Sequence, residues 1–249
     1  MTATLAIPPE GPLFEGHFPG RPILPGVALL ALVAGALGRT APLRGVPFAR
    51  LRQPVFPGDA LAIAARELAP DRLRVGVTRG QAVVAHAELE FGWLPVAGVA
   101  MPVAPDTGAA FPEALLPHRP PMRFVVGVVR DSADGLVGEA RIPEACALVH
   151  AGTAPAIAVV EAAAQCAALW EALGRVRAGG AAGARVGYLV SLRDVRLHEV
   201  RVPAETGFRV HIALEEAAMP MTWYRMRVAL GAREIATGAI ATYLTNEPA

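Results

Sequence analysis

Two residues stand out for what they could do to a proton. His17 sits in "EGHFPGRPILPGVALLALVAG", a Gly/Pro-rich turn that runs into an apolar helix. An imidazole there is readily neutral and basic near pH 7. No carboxylate lies between Pro22 and Gly38, so the turn carries a base without an acid. Glu161 is the converse: in "PAIAVVEAAAQCAALWEALGR" it is a carboxyl among Ala158, Val160 and Ala162, with no histidine beside it. Apolar neighbours raise a carboxyl pKa by desolvation, so Glu161 is expected to act as a protonated acid. An ionised Glu161 that holds a hydroxyl or a water is the lesser variant. An unpaired carboxylate is costly to bury, which argues that Glu161 has a partner.

Each residue lies on, or in the turn leading into, a helix that something must wrap. Helices are predicted over about 25–39 and 155–175, both apolar nearly all round and so not surface amphipathic helices. Proline near the start and Gly38 near the end of the first fit ordinary helix punctuation. Strand-like segments follow each helix: "DALAIAARELA", "RLRVGVT" and "AVVAHAELEFG" after the first, "GFRVHIALEEA", "TWYRMRVAL" and "EIATGAIATYL" after the second. Residues 93–110, rich in Pro, Gly and Ala, read as a linker between residues 1–92 and 111–249. The repeated plan of one helix and a strand meander points to an internal duplication.

Composition narrows the class. The 249 residues are 53% hydrophobic and 18% charged, enough for a substantial core, and the formal charge is +1. That balance gives no global argument for nucleic acid or an anionic membrane surface. Every basic residue is an arginine. Cys146 and Cys166 form neither a disulfide framework nor a zinc spacing and read as buried thiols. No signal peptide is visible, and the apolar run from Gly26 to Gly38 is too short to span a bilayer. The expectation is a cytoplasmic protein without a membrane span.

"GHFPGRPILPGV", Gly16 to Val27, resembles the signature of the 3-hydroxyacyl-acyl-carrier-protein dehydratases, and "RQPVFPGDAL" resembles the strand they place after the helix. "LLPHRPPM", Leu115 to Met122, is similar to the lead-in of single-domain members, and "VVEAAAQ" to their helix segment bearing the acid. More narrowly, the pair resembles the two dehydratase-like proteins of aryl polyene biosynthesis joined into one chain. The resemblance implies an α+β double hotdog: two hotdog domains packed as a pseudo-dimer, each a long central helix wrapped by an antiparallel sheet.

It also implies where the missing halves went. The family's acid lies fourteen residues after its histidine, which here falls on Ala31. Aligning Pro25 with Pro155 sets Ala31 against Glu161 and His17 against Ala147. The family builds its sites across a dimer interface, so one composite site would hold His17 and Glu161, and the other only Ala31 and Ala147. The implied reaction is dehydration of a (3R)-3-hydroxyacyl-acyl carrier protein to the trans-2-enoyl form, in fatty acid, aryl polyene or polyketide-like biosynthesis. His17 is the base and Glu161 the acid. Gly26 lets a thioester oxygen approach the helix N-terminus, and Phe18, Pro19 and Gly20 shape the turn around the substrate. Ala156 stands where the retired site would need that glycine.

No cofactor and no metal are expected, the acyl group arriving on the phosphopantetheine of an acyl carrier protein. Arg21, Arg50 and Arg52 could meet the acidic surface of that partner; a higher homo-oligomer is a further possibility. His118 reads as shaping the lead-in turn, Gln165 as a core amide, His150 as a loop residue, and His86, His198 and His211 as strand residues. The alternatives are a catalytically inactive acyl-chain-binding or scaffolding partner of another dehydratase, or a hotdog thioesterase.

Overall fold

Among the described residues, thirteen strands and two α-helices fold so that each helix has a sheet to lie on. The computed structural model describes residues 1–93, 113–180, 183–218 and 220–248; residues 94–110 of the expected linker lie outside them. In the first half, β1 (Thr2–Ala6) precedes α1 (Gly26–Ala36), and β2 (Leu43–Leu51), β3 (Ala60–Ala69), β4 (Arg72–Arg79) and β5 (Ala82–Phe91) follow. In the second, β6 (Val125–Ser132), β7 (Gly135–Ala140) and the short β8 (Thr153–Pro155) precede a 3-10 turn, Ala156–Ala158, and α2 (Val159–Arg177). Then come β9 (Arg185–Leu197), β10 (Arg201–Pro203), β11 (Phe208–Ala218), β12 (Met221–Leu230) and β13 (Arg233–Pro248).

Eleven strands form one antiparallel sheet in the order β1-β3-β4-β5-β2-β9-β13-β12-β11-β7-β6. Outward from the centre, the first half runs β2-β5-β4-β3 and the second β9-β13-β12-β11, so the two meanders mirror each other about the β2–β9 seam. Like elements meet like at that seam, as at a two-fold dimer interface. Its register pairs Gly45 with Arg196 and Arg50 with Ser191, and the buried Ser191 hydroxyl donates to the Ala49 carbonyl at 2.7 Å. The alternation of "ALAIAARELA" holds Leu61, Ile63 and Ala65 inward and their neighbours outward, as a half-buried strand should.

Both helices are wrapped, which explains their lack of a polar face. Val27, Ala28, Leu29, Leu30 and Val33 of α1 are buried, and so are ten residues of α2, Glu161 and Gln165 among them. The two helices enter alike: Pro25 has φ −55° and ψ 139°, Pro155 φ −60° and ψ 139°. Proline fixes φ and needs no hydrogen-bond acceptor at a helix start. The first helix ends at Ala36, before the expected Arg39, because Gly38 turns the chain at φ +63°. Ala156–Arg177 is long and apolar enough to cross a membrane by composition, and most of it is buried inside this fold.

Candidate active site

The His17 turn closes on itself. The Ile23 amide donates to the His17 carbonyl at 3.2 Å, and His17 Nδ1 donates to the Ile23 carbonyl at 2.8 Å. A carbonyl only accepts, so the ring proton sits on Nδ1 and Nε2 presents a lone pair. Burial drives the His17 pKa down to about 4, against the opposing pull of Glu161. His17 is therefore a neutral imidazole at pH 7, as a base requires.

The structure brings Glu161 to it: the ligand atoms of His17, Glu161 and a third residue, His118, all lie within 4.8 Å of one another. All three are buried, at 7%, 3% and 5% exposure. Across 144 residues of sequence, the seam and the two helix starts put the histidine of one half against the carboxylate of the other.

Glu161 departs from the expected protonation. Burial alone would raise its carboxyl, but the hydrogen bond from His118, the neighbouring imidazoles and the Gln165 amide outweigh it and hold the carboxyl below its usual range. His17 is uncharged near neutrality, so His118 supplies the larger share of that hold. His118 Nε2 lies 3.3 Å from Glu161 Oε1, and Gln165 Nε2 donates to the same oxygen at 3.1 Å. The amide cannot flip: Gln165 Oε1 accepts from the Phe124 and Val125 amides at 2.8 and 3.3 Å, and its Nε2 also donates to the Met122 carbonyl at 2.7 Å. Gln165 is thus the core amide expected, with one proton turned to Glu161. The lesser variant, an ionised Glu161 that accepts a hydrogen bond, is the one the geometry favours.

His118 was not legible as a site residue. Its segment folds back under the His17 turn, where the Arg119 amide donates to the Gly16 carbonyl at 2.9 Å. A Cβ on Gly16 would stand 1.9 Å from the Arg119 carbonyl oxygen, so only glycine permits this approach. Phe18 packs against both histidines, its ring centroid 4.3 Å from that of His17 and 5.0 Å from that of His118, whose rings lie 5.3 Å apart.

A cavity of about 330 Å³ opens on this cluster. His17, His118 and Glu161 line it, with Phe18, Gly26, Leu29 and Leu51, and it continues along α2 past Ala164, Ala168 and Glu171. Arg52 and Gln53, both exposed, stand at its rim. Gly26 is in the wall, where a Cβ would press on Leu51 Cδ1 at 2.4 Å. Pro19 and Gly20 do not reach the cavity; they are exposed in the turn, Gly20 at φ +80°. Arg21 and Arg50 are exposed too. Two imidazoles and a carboxylate are also a zinc donor set, so among the described residues these three are the ones able to hold a metal ion.

At the counterpart positions nothing can move a proton. Ala31 packs half-buried on the core, Ala147 lies in a turn, and the Ala156 amide is already spent on the Val200 carbonyl at 3.0 Å. His150, His86 and His198 are exposed. Cys146 and Cys166 are buried free thiols.

Two mirrored helix-and-meander halves, one retaining a histidine turn and the other an acidic helix, define a double hotdog of the dehydratase type. A solved dehydratase domain of the polyketide PpsC from Mycobacterium tuberculosis shares the fold over 99% of this chain and 93% of its own, at TM-score 0.69 and 14% identity. The dehydratase heterocomplex ApeI:P from Xenorhabdus doucetiae matches over 55% of this chain and 91% of that chain, at TM-score 0.50 and 19% identity. Among curated relatives, the 3-hydroxyacyl-[acyl-carrier-protein] dehydratase FabZ of Roseiflexus sp. (strain RS-1) is 39% identical over 83 residues. That match takes in 29% of this chain and spans only 56% of the relative's length. The ApeI-like family profile (ApeI dehydratase) matches residues 1–87 and the ApeP-like profile (ApeP dehydratase) residues 111–249. The chain belongs to the ApeP-like dehydratases, with an ApeI-like part joined ahead of it.

Proposed function

We propose that this chain dehydrates (3R)-3-hydroxyacyl thioesters of acyl carrier protein to the trans-2-enoyl form. It would do so at one composite site between residues 1–92 and 111–249, without a cofactor. The observation that carries the reading is the approach of His17 and Glu161 to within 4.8 Å on the wall of one cavity. FabZ-type similarity supports the reaction class, and the exposed Arg21, Arg50 and Arg52 suit an acidic carrier. Fatty acid, aryl polyene and polyketide-like biosynthesis all generate such substrates.

The charges assign the steps. His17 Nε2 takes the C2 proton as the thioester oxygen gains charge against the first N–H groups of α1 at Gly26, which a helix start leaves without internal partners. Glu161, a carboxylate, accepts the hydrogen bond of the C3 hydroxyl and keeps it on the face of His17. The proton just captured on Nε2 then passes to the departing hydroxyl as the C3–O bond breaks. Water leaves, the C2–C3 double bond forms, and His17 is neutral again. One imidazole nitrogen thus serves adjacent carbons, with no protonated carboxyl required.

His17→Ala and Glu161→Gln should each abolish enoyl product from a 3-hydroxyacyl carrier protein, with melting curves showing a folded chain. Full turnover in both would overturn the assignment. Release of free acid without enoyl product would mark a thioesterase instead.

A further inference from the structure

The cavity that begins at His17 and Glu161 reaches a second acid, one the proton path above does not use. Glu161, Ala164, Ala168 and Glu171 all line it, and their spacing of three, four and three residues puts them on one face of α2. Ten residues of helix place Glu171 about 15 Å along the axis from Glu161. Between the two the lining is mostly apolar: Ala164 and Ala168 leave room beside Leu29, Leu51 and Leu189. Glu171 is half-buried and already holds two hydroxyl groups. The Tyr224 hydroxyl donates to Glu171 Oε1, and the Thr242 hydroxyl donates to the same oxygen at 3.4 Å.

Those two bonds fix the carboxyl and leave its other oxygen over. Tyr224 is fully buried and edge-on to Trp170, their centroids 5.9 Å apart. Burial and the Glu171 charge hold its phenol well above the usual range, so it remains a donor. Oε2 has no hydrogen bond among the described residues, since both donors fall on Oε1. Arg175, one turn further along α2, donates instead to the Gly183 carbonyl at 3.3 Å. An acyl chain that enters the cavity takes solvent away from Oε2, and a carboxylate oxygen that loses water without gaining a donor is costly. A methyl end meets that cost; an end with an O–H or N–H does not. We propose that Glu171, held by Tyr224 and Thr242, is a specificity-determining residue that selects acyl chains whose far end carries a hydrogen-bond donor, a hydroxyl above all. The selection rests on the acyl-thioester reading of the site and adds the class of chain it takes. It is also a ruler, because the donor must reach Oε2 while the reacting carbons stay at His17, about 15 Å away along the helix.

The test uses the full chain and stable acyl-pantetheine amides, in a series of lengths that end in hydroxyl, methoxy or methyl, with binding read by calorimetry. Methoxy accepts a hydrogen bond but cannot donate one, so it separates a need for a donor from simple polarity. At the length that spans the channel, the hydroxyl end should bind at least about tenfold tighter than either other end, the worth of one hydrogen bond to a charged group. Shorter and longer chains should show less of that advantage. Glu171→Gln keeps an oxygen for Tyr224 and Thr242 but turns an amide N–H toward the cavity, so hydroxyl and methoxy ends should then bind alike. In wild-type turnover, kcat/KM for the matching 3-hydroxyacyl carrier proteins should rank the three ends in the same order. Equal binding of the ends at every length, or a hydroxyl preference that survives in Glu171→Gln, would overturn the selection and leave the dehydratase reading standing. Binding needs no catalysis, so hydroxyl-selective binding by a wild-type protein that forms no enoyl product would sustain the selection and sink the dehydratase reading instead.

Discussion

A buried neutral histidine makes the protein's stability and its rate depend on acid in a linked way. In the unfolded chain His17 takes up a proton below about pH 6.5, while in the fold it resists until about pH 4. Between those values the unfolded state binds more protons, so stability falls as pH falls through that window. Two and a half units correspond to about 3 kcal/mol in total, a large share of the ~5–15 kcal/mol that holds a typical domain. The experiment is denaturant unfolding of wild type and His17→Gln across the window, since glutamine cannot titrate. The wild type's stability relative to the variant should drop by about 3 kcal/mol from pH 7.5 to pH 4, and the two should run parallel above that range. The rate should follow the same group. Glu161 is held below its usual carboxyl range by its hydrogen bonds and neighbouring imidazoles, so kcat/KM should hold through pH 6.5 and fall only as His17 titrates, near pH 4. An acid limb at pH 6.5, with no difference in slope between the two proteins, would show that His17 is solvated rather than buried and refute the reasoning.

Two further outcomes follow from the packing. Gly16→Ala and Gly20→Ala share a left-handed backbone, φ +77° and +80°, so each should lose about 1–2 kcal/mol from strain. Only at Gly16 would the methyl meet the Arg119 carbonyl, at 1.9 Å, so Gly16→Ala alone should also abolish turnover; equal effects on rate would show that the 16–119 contact does not set the site. Gln165→Leu strands the Met122 carbonyl and the Phe124 amide, and at about 1–3 kcal/mol per buried group thermal unfolding should show a loss of about 3 kcal/mol, with none expected if water replaces the amide.

Much of this architecture was readable from residue order. The offset between Pro25 and Pro155 set Glu161 against Ala31, and the two prolines do open their helices with the same torsions. Apolar helices without a polar face had to be wrapped, and the alternating strands supplied the wrapping. The state of the carboxyl was not readable, because the apolar neighbours of Glu161 along its own helix tell only of burial. The donors are Gln165, held in place by backbone groups 40–43 positions away, and His118. That histidine looked like part of a proline-rich turn since nothing local reports that its segment crosses beneath Gly16. A usable signal did exist: a carboxylate expected to be buried needs a donor, and His118 lies in the stretch that leads into its own half.

The complementary losses also have a mechanical reason to persist. In a two-fold dimer of identical subunits both interface sites carry the same residues, so a change that improves one alters the other. In this chain the β2–β9 seam fixes the halves as a dimer would, but each position occurs once. The Gly26 amide can then open on a cavity while the Ala156 amide is closed by Val200. A carboxylate at position 31 or a histidine at 147 would leave that amide occupied, so on the proposed reading the counterpart site lacks an anion contact as well as proton carriers. Burying a new carboxylate at half-buried Ala31 without a donor such as His118 would cost stability with no chemistry gained. The asymmetry is therefore held by hydrogen bonding at the helix starts as much as by the absent side chains.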